Sequence, residues 1–255
     1  MTAEREATDT PSVSADPVET VPERTHRWGF GAFLLVFAVF VLTAVLIGAV
    51  VGAFFPHAGP SPTVIIVGTM VPTIVAACVT LLVTKVRGNG PRIDLRWSMR
   101  REDVRIGLKW GFIGLICTTF AAFLWTTVVG EENAQSAIGA LVDNQRMPVA
   151  PAIVLFVFMW LIGPICEELI YRGLLWGALE RLKWGKWAVF GLTTVIFAVS
   201  HLEPLRTTLL LVIGVPIGLA RLFSGRLGAS IVAHQVNNFL PALAVLLVAL
   251  GAMPA

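Results

Sequence analysis

Charged residues are scarce in this chain: Asp, Glu, Lys and Arg make up 14% of its 255 residues, whereas 56% are hydrophobic and the mean hydropathy is +0.80. Soluble domains carry about a quarter charged residues, so this composition indicates a membrane protein. A stripe of Lys and Arg interleaved with aromatic residues is also lacking, and we expect no nucleic-acid partner. The few cysteines lie singly inside apolar runs, without CxxC spacing, and are interpreted as packing residues: Cys78, Cys117 and Cys166.

Long apolar runs dominate the rest of the chain. Residues 1–27 are polar and rich in Pro, Ser and Thr, which predicts a disordered cytoplasmic tail rather than a signal peptide. A membrane-spanning helix needs about 20 apolar residues. We therefore predict an all-α polytopic transmembrane helix bundle of about seven spans, with six to eight as the range. The candidate spans are 28–55, 62–84, 105–129, 149–179, 187–201, 207–223 and 227–250.

The basic residues predict the orientation of these spans. Arg and Lys concentrate in the tail and in the loops after the second, fourth and sixth candidate spans. Because cytoplasmic loops carry the excess of Lys and Arg, we expect a multi-pass protein of the cell membrane with a cytoplasmic N-terminus. An odd number of spans would put the C-terminus outside. Within the N-terminal helices of 28–147, the segment near 91–104 mixes arginines with apolar residues. It predicts a short helix at the lipid headgroups, with substrate docking as the alternative.

Three charges stand where lipid disfavours them, in the stretch PICEELIYRG at 164–173. Exposed to lipid, Glu167, Glu168 and Arg172 would together cost roughly 8–10 kcal/mol, more than the apolar residues before them return. They must therefore face protein or a polar intramembrane cavity. Glu168 and Arg172 are spaced i,i+4 with the acid first, which favours an ion pair. Glu167 points about 100° away on the helix and is left for another role.

Two histidines in separate apolar runs supply candidate partners for Glu167. His201 follows Phe197 by four residues, and His234 precedes Asn238 by four, so each pair shares a helix face. A histidine in a membrane helix is often only an interhelical hydrogen-bonding group. Counting helical rise, however, places Glu167 at about the same depth as both histidines and Asn238, which favours a single site.

This set of side chains can hydrolyse a peptide bond. A carboxylate beside a histidine can activate water, and a histidine with an asparagine can stabilise an oxyanion. Nucleophilic catalysis by Ser200 or Cys166 is weaker, because each points elsewhere on its helix. A zinc ion held by Glu167, His201 and His234 is an alternative, although no HExxH motif is present. We expect no cofactor.

The ordered trio of motifs resembles the CPBP family of intramembrane proteases, the CAAX prenyl endopeptidases and bacteriocin-processing or immunity (Abi) proteins. EExxxR stands at 167–172, FxxxH at 197–201 and HxxxN at 234–238. The resemblance covers about 148–240 and implies a CPBP-type catalytic core within 148–250. It implies that Glu167 and His201 activate water and that His234 and Asn238 hold the oxyanion. In supporting roles, Arg172 would anchor Glu168 and Phe197 would pack near the site.

The implied function is an endopeptidase that cleaves a membrane protein or a lipidated peptide in contact with the bilayer. Nothing in the sequence identifies a prenylated substrate, and the metal requirement stays open because members have been labelled metalloproteases. Two other classes remain. A proton-coupled transporter also carries buried Glu, His and Arg, but paired broken helices in two related halves are not seen in the sequence. A non-catalytic immunity or scaffold protein could keep the motifs for stability.

Overall fold

The computed structural model of the protein describes residues 26–54, 61–130, 134–143 and 146–253, and within these ranges it contains helices and no β-strand. Of the predicted tail, residues 1–25 lie outside the described residues. The helices are α1 (Phe30–Phe54), α2 (Pro62–Arg87), α3 (Pro91–Asp94), α4 (Arg101–Val129), α5 (Ala137–Val142), α6 (Val149–Arg181), α7 (Lys186–Val199), α8 (Thr207–Ser224) and α9 (Leu227–Ala249).

The predicted all-α polytopic bundle is confirmed. In the described ranges six helices are long and apolar enough to cross a membrane, namely α1, α2, α4, α6, α8 with the turn before it, and α9. The remaining predicted span, 187–201, corresponds to α7, which has only 14 residues. At 1.5 Å per residue it rises about 21 Å, less than the roughly 30 Å of hydrocarbon in a bilayer. Six full spans lie at the lower end of the predicted range.

The predicted interfacial helix near 91–104 is shorter than the charge pattern indicates. Helix α3 covers only Pro91–Asp94, and α4 begins at Arg101. Ile93 and Met99 are exposed between the arginines of this segment. A contact of this segment with lipid headgroups stays a prediction.

Helix α6 is the centre of the bundle. It packs against α1, α2, α7 and α9, and its stretch from Leu169 to Leu179 is buried along its whole length. Helices α1 and α4, by contrast, expose large apolar side chains such as Leu46, Phe120 and Phe123. Apolar surface of this extent is suited to contact with lipid. The polar groups of α6, by contrast, lie inside the protein, away from lipid.

Helices α4 and α9 approach each other closely at two glycines one turn apart. A Cβ atom built on Gly107 would lie 2.6 Å from Cβ of Val232, and one built on Gly111 would lie 2.7 Å from Cβ of Val236. Such distances leave no room for a side chain. Small residues at this spacing allow helix backbones to pack tightly inside a membrane. This contact fixes α9, which carries His234 and Asn238, against the rest of the bundle.

Replacing Gly107 by alanine therefore tests this packing. We expect Gly107→Ala to destabilise the detergent-solubilised protein by about 1–3 kcal/mol, since the added methyl group overpacks the contact with Val232. The measurement is thermal unfolding followed by loss of the monodisperse peak. Gly48→Ala is the matched control, because nothing lies within 4 Å of its Cβ position in α1. Equal midpoints for the two variants would contradict the close approach.

Candidate active site

The backbone of α6 departs from regular α-helix on both sides of the two glutamates. Phe158–Ile162 and Leu169–Leu175 are π-helical, and the α-helical Gly163–Glu168 lies between them. Pro164 explains the first departure. It has no N–H to donate, and its ring would collide with the carbonyl of Trp160 in a regular α-helix.

Side chains of α8 and α9 bond the carbonyls of these π-helical segments. The amide nitrogens of Asn238 and Gln235 donate to the carbonyls of Met159 and Leu161 at 3.3 and 3.2 Å. In the second segment, Nε of Arg221 donates to the carbonyl of Arg172 at 3.0 Å. Polar side chains thus occupy backbone acceptors, which holds the helix that carries Glu167 and Glu168 in place.

The predicted ion pair of Glu168 and Arg172 is confirmed. Nη1 of Arg172 lies 3.2 Å from Oε1 of Glu168, and both side chains are fully buried. The guanidinium also donates from Nη2 to the carbonyl of Gly214 at 3.2 Å. Its carbon lies 4.4 Å from the centre of the Phe197 ring, a cation–π distance. The pair therefore connects α6 to both α7 and α8.

His234 lies between the two glutamates. Its Nδ1 is 3.0 Å from Oε1 of Glu168, and its Nε2 is 3.7 Å from Oε2 of Glu167. A carboxylate paired with an arginine can only accept hydrogen bonds, so Nδ1 of His234 is the donor to Glu168. The sequence indicated no contact between His234 and Glu168. Spacing within one helix cannot reveal it, because the contact depends on how α9 is aligned against α6.

His201 lies just beyond the last residue of α7, Val199. Its Nδ1 is 2.7 Å from the carbonyl oxygen of Phe197. A carbonyl can only accept, so Nδ1 carries the proton and Nε2 is the nitrogen able to take one up. The Phe197 ring lies edge-on to both imidazoles, with centroids at 4.7 Å from His201 and 5.7 Å from His234. Phe197 thus packs between the two histidines, as its predicted supporting role requires.

One cavity of about 430 Å³ collects the predicted residues. Glu167, His201, His234 and Asn238 all line it, so the three helices do bring these side chains to one place. The neighbouring cavity, of about 410 Å³, is bounded by apolar side chains of α1 and α2 and shares Glu167 and His201 with the first. The Glu167 side chain is 27% exposed, in contrast to 0% for Glu168. Of the two carboxylates, Glu167 is the one that water in the cavity reaches.

The arrangement of donors does not fit a bound metal ion. Across the described ranges, no three side chains among His, Cys, Asp and Glu are placed to hold one. The imidazole nitrogen nearest to Glu167 is Nε2 of His234, at 3.7 Å from Oε2. No step below is therefore built on a metal.

Several polar contacts of the site were not identified from the sequence. Glu203 and Arg206 line the cavity as an ion pair at 2.8 Å, and Glu203 also accepts from the backbone nitrogen of Ala137 at 3.2 Å. Tyr171 and Ser200 form a buried hydrogen bond at 2.6 Å. The contacts of Glu203 with Ala137 and of Tyr171 with Ser200 join separate parts of the chain, so sequence spacing gives no sign of them. The pair of Glu203 and Arg206 has i,i+3 spacing, which could have indicated it. Gln235 was the missed residue that the sequence could most easily have indicated, since it follows His234 directly.

Comparison with protein families agrees with this geometry. Residues 149–240 match the model of the type II CAAX prenyl endopeptidase Rce1-like family. That segment contains all three motifs, so the match supports the resemblance to the CPBP family. It also supports an intramembrane endopeptidase of the CAAX protease type, in contact with the bilayer and with membrane-associated substrates. No curated protein and no solved structure matches the chain.

The buried ion pair of Glu168 and Arg172 gives a stability prediction. Arg172→Gln leaves Glu168 buried without its cation, and we expect a loss of about 3–5 kcal/mol in the free energy of unfolding. Thermal unfolding in detergent measures it. The matched control is Glu102→Gln, which removes an exposed ion pair with Arg226 (2.9 Å) and should cost at most about 1 kcal/mol. An equal effect of the two substitutions would show that the buried pair has no special weight.

Proposed function

We propose that this protein is an intramembrane endopeptidase in which Glu167 activates a water molecule for attack on a peptide bond. The observation that carries the proposal is the single cavity lined by Glu167, His201, His234 and Asn238. A carboxylate that is partly exposed inside an otherwise apolar bundle is costly unless it has a function. Glu168 is neutralised by its own partners, whereas Glu167 remains accessible for proton transfer.

The hydrogen bonds of the two histidines support different roles. His201 donates from Nδ1 to a carbonyl, so in the neutral ring Nε2 is the nitrogen that can accept a hydrogen bond from water. His234 donates from Nδ1 to the Glu168 carboxylate, and when Nε2 also carries a proton the ring can donate a second hydrogen bond into the cavity. In this proposal His201 and Glu167 together activate the water, and His234 donates a hydrogen bond to the oxyanion.

The reaction then proceeds in two proton transfers. Glu167 takes a proton from water as the water oxygen bonds to the substrate carbonyl carbon, and the carbonyl oxygen becomes an oxyanion. Nε2–H of His234 and the amide of Asn238 donate to that oxyanion. An amide has two N–H donors, so Asn238 can bond the Met159 carbonyl and still donate into the cavity. As the C–N bond breaks, the proton passes from Glu167 to the leaving nitrogen.

The substrate we propose is a membrane protein or a lipidated peptide. It would reach the site within the cell membrane, in which the N-terminus of the chain faces the cytoplasm. The apolar cavity next to Glu167 and His201 can receive an apolar part of such a substrate. The family description supports a CAAX-type peptide bond, although no feature of the cavity selects a prenyl group over another apolar group.

Substitution of Glu167 tests the proposed function. We expect Glu167→Gln to lower cleavage by at least about a hundredfold, because the amide cannot take the proton from water. Comparing the membrane proteomes of cells with wild-type and Glu167→Gln protein identifies the substrate and the dependence together. Glu102→Gln, an acid-to-amide change far along the chain in an exposed ion pair, is the control and should retain cleavage. Undiminished cleavage of a confirmed substrate by Glu167→Gln protein would refute the mechanism.

A chelation assay on the purified protein distinguishes the metal-free water mechanism from the zinc alternative. We expect that cleavage persists after dialysis against a chelator, since Glu167 and the histidines activate water without a metal. Elemental analysis of the purified protein accompanies the assay. One zinc ion per chain, together with loss of cleavage on chelation and recovery on adding zinc, would instead favour the ligand set of Glu167, His201 and His234.

A further inference from the structure

The position of His201 is not held by a regular helix. Helix α7 ends at Val199, and Leu202, directly after His201, has a left-handed φ of 57°. A non-glycine residue in this region is uncommon and persists only where surrounding contacts maintain it. The orientation of the His201 ring in the cavity therefore depends on the hydrogen bond that its Nδ1 donates to the carbonyl of Phe197.

A chain of hydrogen bonds connects Tyr171 of α6 to His201. Oη of Tyr171 and Oγ of Ser200 are 2.6 Å apart, and Ser200 donates from Oγ to the carbonyl of Phe197 at 2.9 Å. The same carbonyl accepts from Nδ1 of His201 at 2.7 Å. A hydroxyl group has one hydrogen, and that of Ser200 points to Phe197, so Tyr171 is the donor to Ser200.

This chain of bonds links the helix of Glu167 to the histidine it works with. Tyr171 lies four residues after Glu167 on α6, and its hydroxyl bonds the residue immediately before His201. Both hydroxyl groups are buried, so water does not replace their bonds readily. We propose that Tyr171 and Ser200 are positioning residues that fix the carbonyl of Phe197. This carbonyl accepts from Nδ1 of His201, which leaves Nε2 free to accept a hydrogen bond from water. The proposal rests on the proposed function for the catalytic role of His201.

Tyr171 also packs its ring edge-on against Phe197, with centroids 5.3 Å apart. A packing role and a positioning role can be separated, because Tyr171→Phe keeps the ring and removes only the hydroxyl. Ser200→Ala removes the next group in the chain of bonds. Thr193→Ala is the matched control: its hydroxyl donates to the carbonyl of Phe190, three residues back in α7, just as Ser200 bonds Phe197.

The first measurement needs no substrate. ¹⁵N-histidine NMR of the full chain in detergent reports the protonation of each ring nitrogen, and His201→Gln identifies the His201 signals among the four histidines. We expect Tyr171→Phe and Ser200→Ala to move the Nε2 signal of His201 toward the average of the two tautomers, and Thr193→Ala to leave it unchanged. Because the chain has a single tyrosine, ¹³C-tyrosine labelling gives one signal, which should shift in Ser200→Ala. His201 signals identical to those of wild type in both variants would overturn the proposal.

The second measurement uses the peptide that wild-type but not Glu167→Gln membranes cleave. We expect Tyr171→Phe to lower kcat about tenfold with KM unchanged, less than the roughly hundredfold that a 1 Å misplacement can cost. The double variant should be no slower than Ser200→Ala alone, because both groups act through one chain of bonds. Effects that multiply in the double variant would overturn the proposal. Cleavage surviving Glu167→Gln would refute the proposed function alone, since the NMR result does not depend on it.

Discussion

The buried carboxylate of Glu168 is the constraint on which the arrangement of the site depends. A charge removed from water is tolerated only when it is paired and hydrogen-bonded. Glu168 meets this condition at Oε1, which accepts from Arg172 and from His234 at 3.2 and 3.0 Å. Arg172 extends the connection to the Gly214 carbonyl and the Phe197 ring. Through these contacts the charge of Glu168 on α6 is connected to α7, α8 and α9.

The two adjacent glutamates have different environments because a helix points neighbouring side chains about 100° apart. Glu168 faces the protein interior, whereas Glu167 faces the cavity. His234 contacts both, through one ring nitrogen each. The bond from Nδ1 to the buried Glu168 orients the ring, and Nε2 then lies on the side of Glu167. The neutralised pair thus prepares a histidine for the glutamate that does chemistry in our proposal.

Contacts within one helix and the shared depth of the site residues could be predicted from the sequence, whereas the individual bonds between helices could not. The Glu168–Arg172 pair follows from i,i+4 spacing, and the apolar runs predict the helices. The convergence of Glu167 with the histidines followed from counting residues along separate spans. The bond of His234 to Glu168 did not, because it depends on the rotation of α9 against α6. The end of α7 before His201 was also missed, since the apolar run continues to that residue.

The irregular backbone of α6 gives Asn238 a second task, which bears on how its role is assigned. Its amide lines the cavity and also bonds the Met159 carbonyl in the π-helical segment beside Glu167. In our proposal, loss of this amide removes an oxyanion donor and at the same time frees a carbonyl of the helix that carries Glu167. Gln235 makes the same kind of bond to Leu161, in the same segment. The loss of activity on substituting Gln235 therefore measures the effect of losing the backbone bond alone. Only the additional loss on substituting Asn238 is to be assigned to the proposed oxyanion contact.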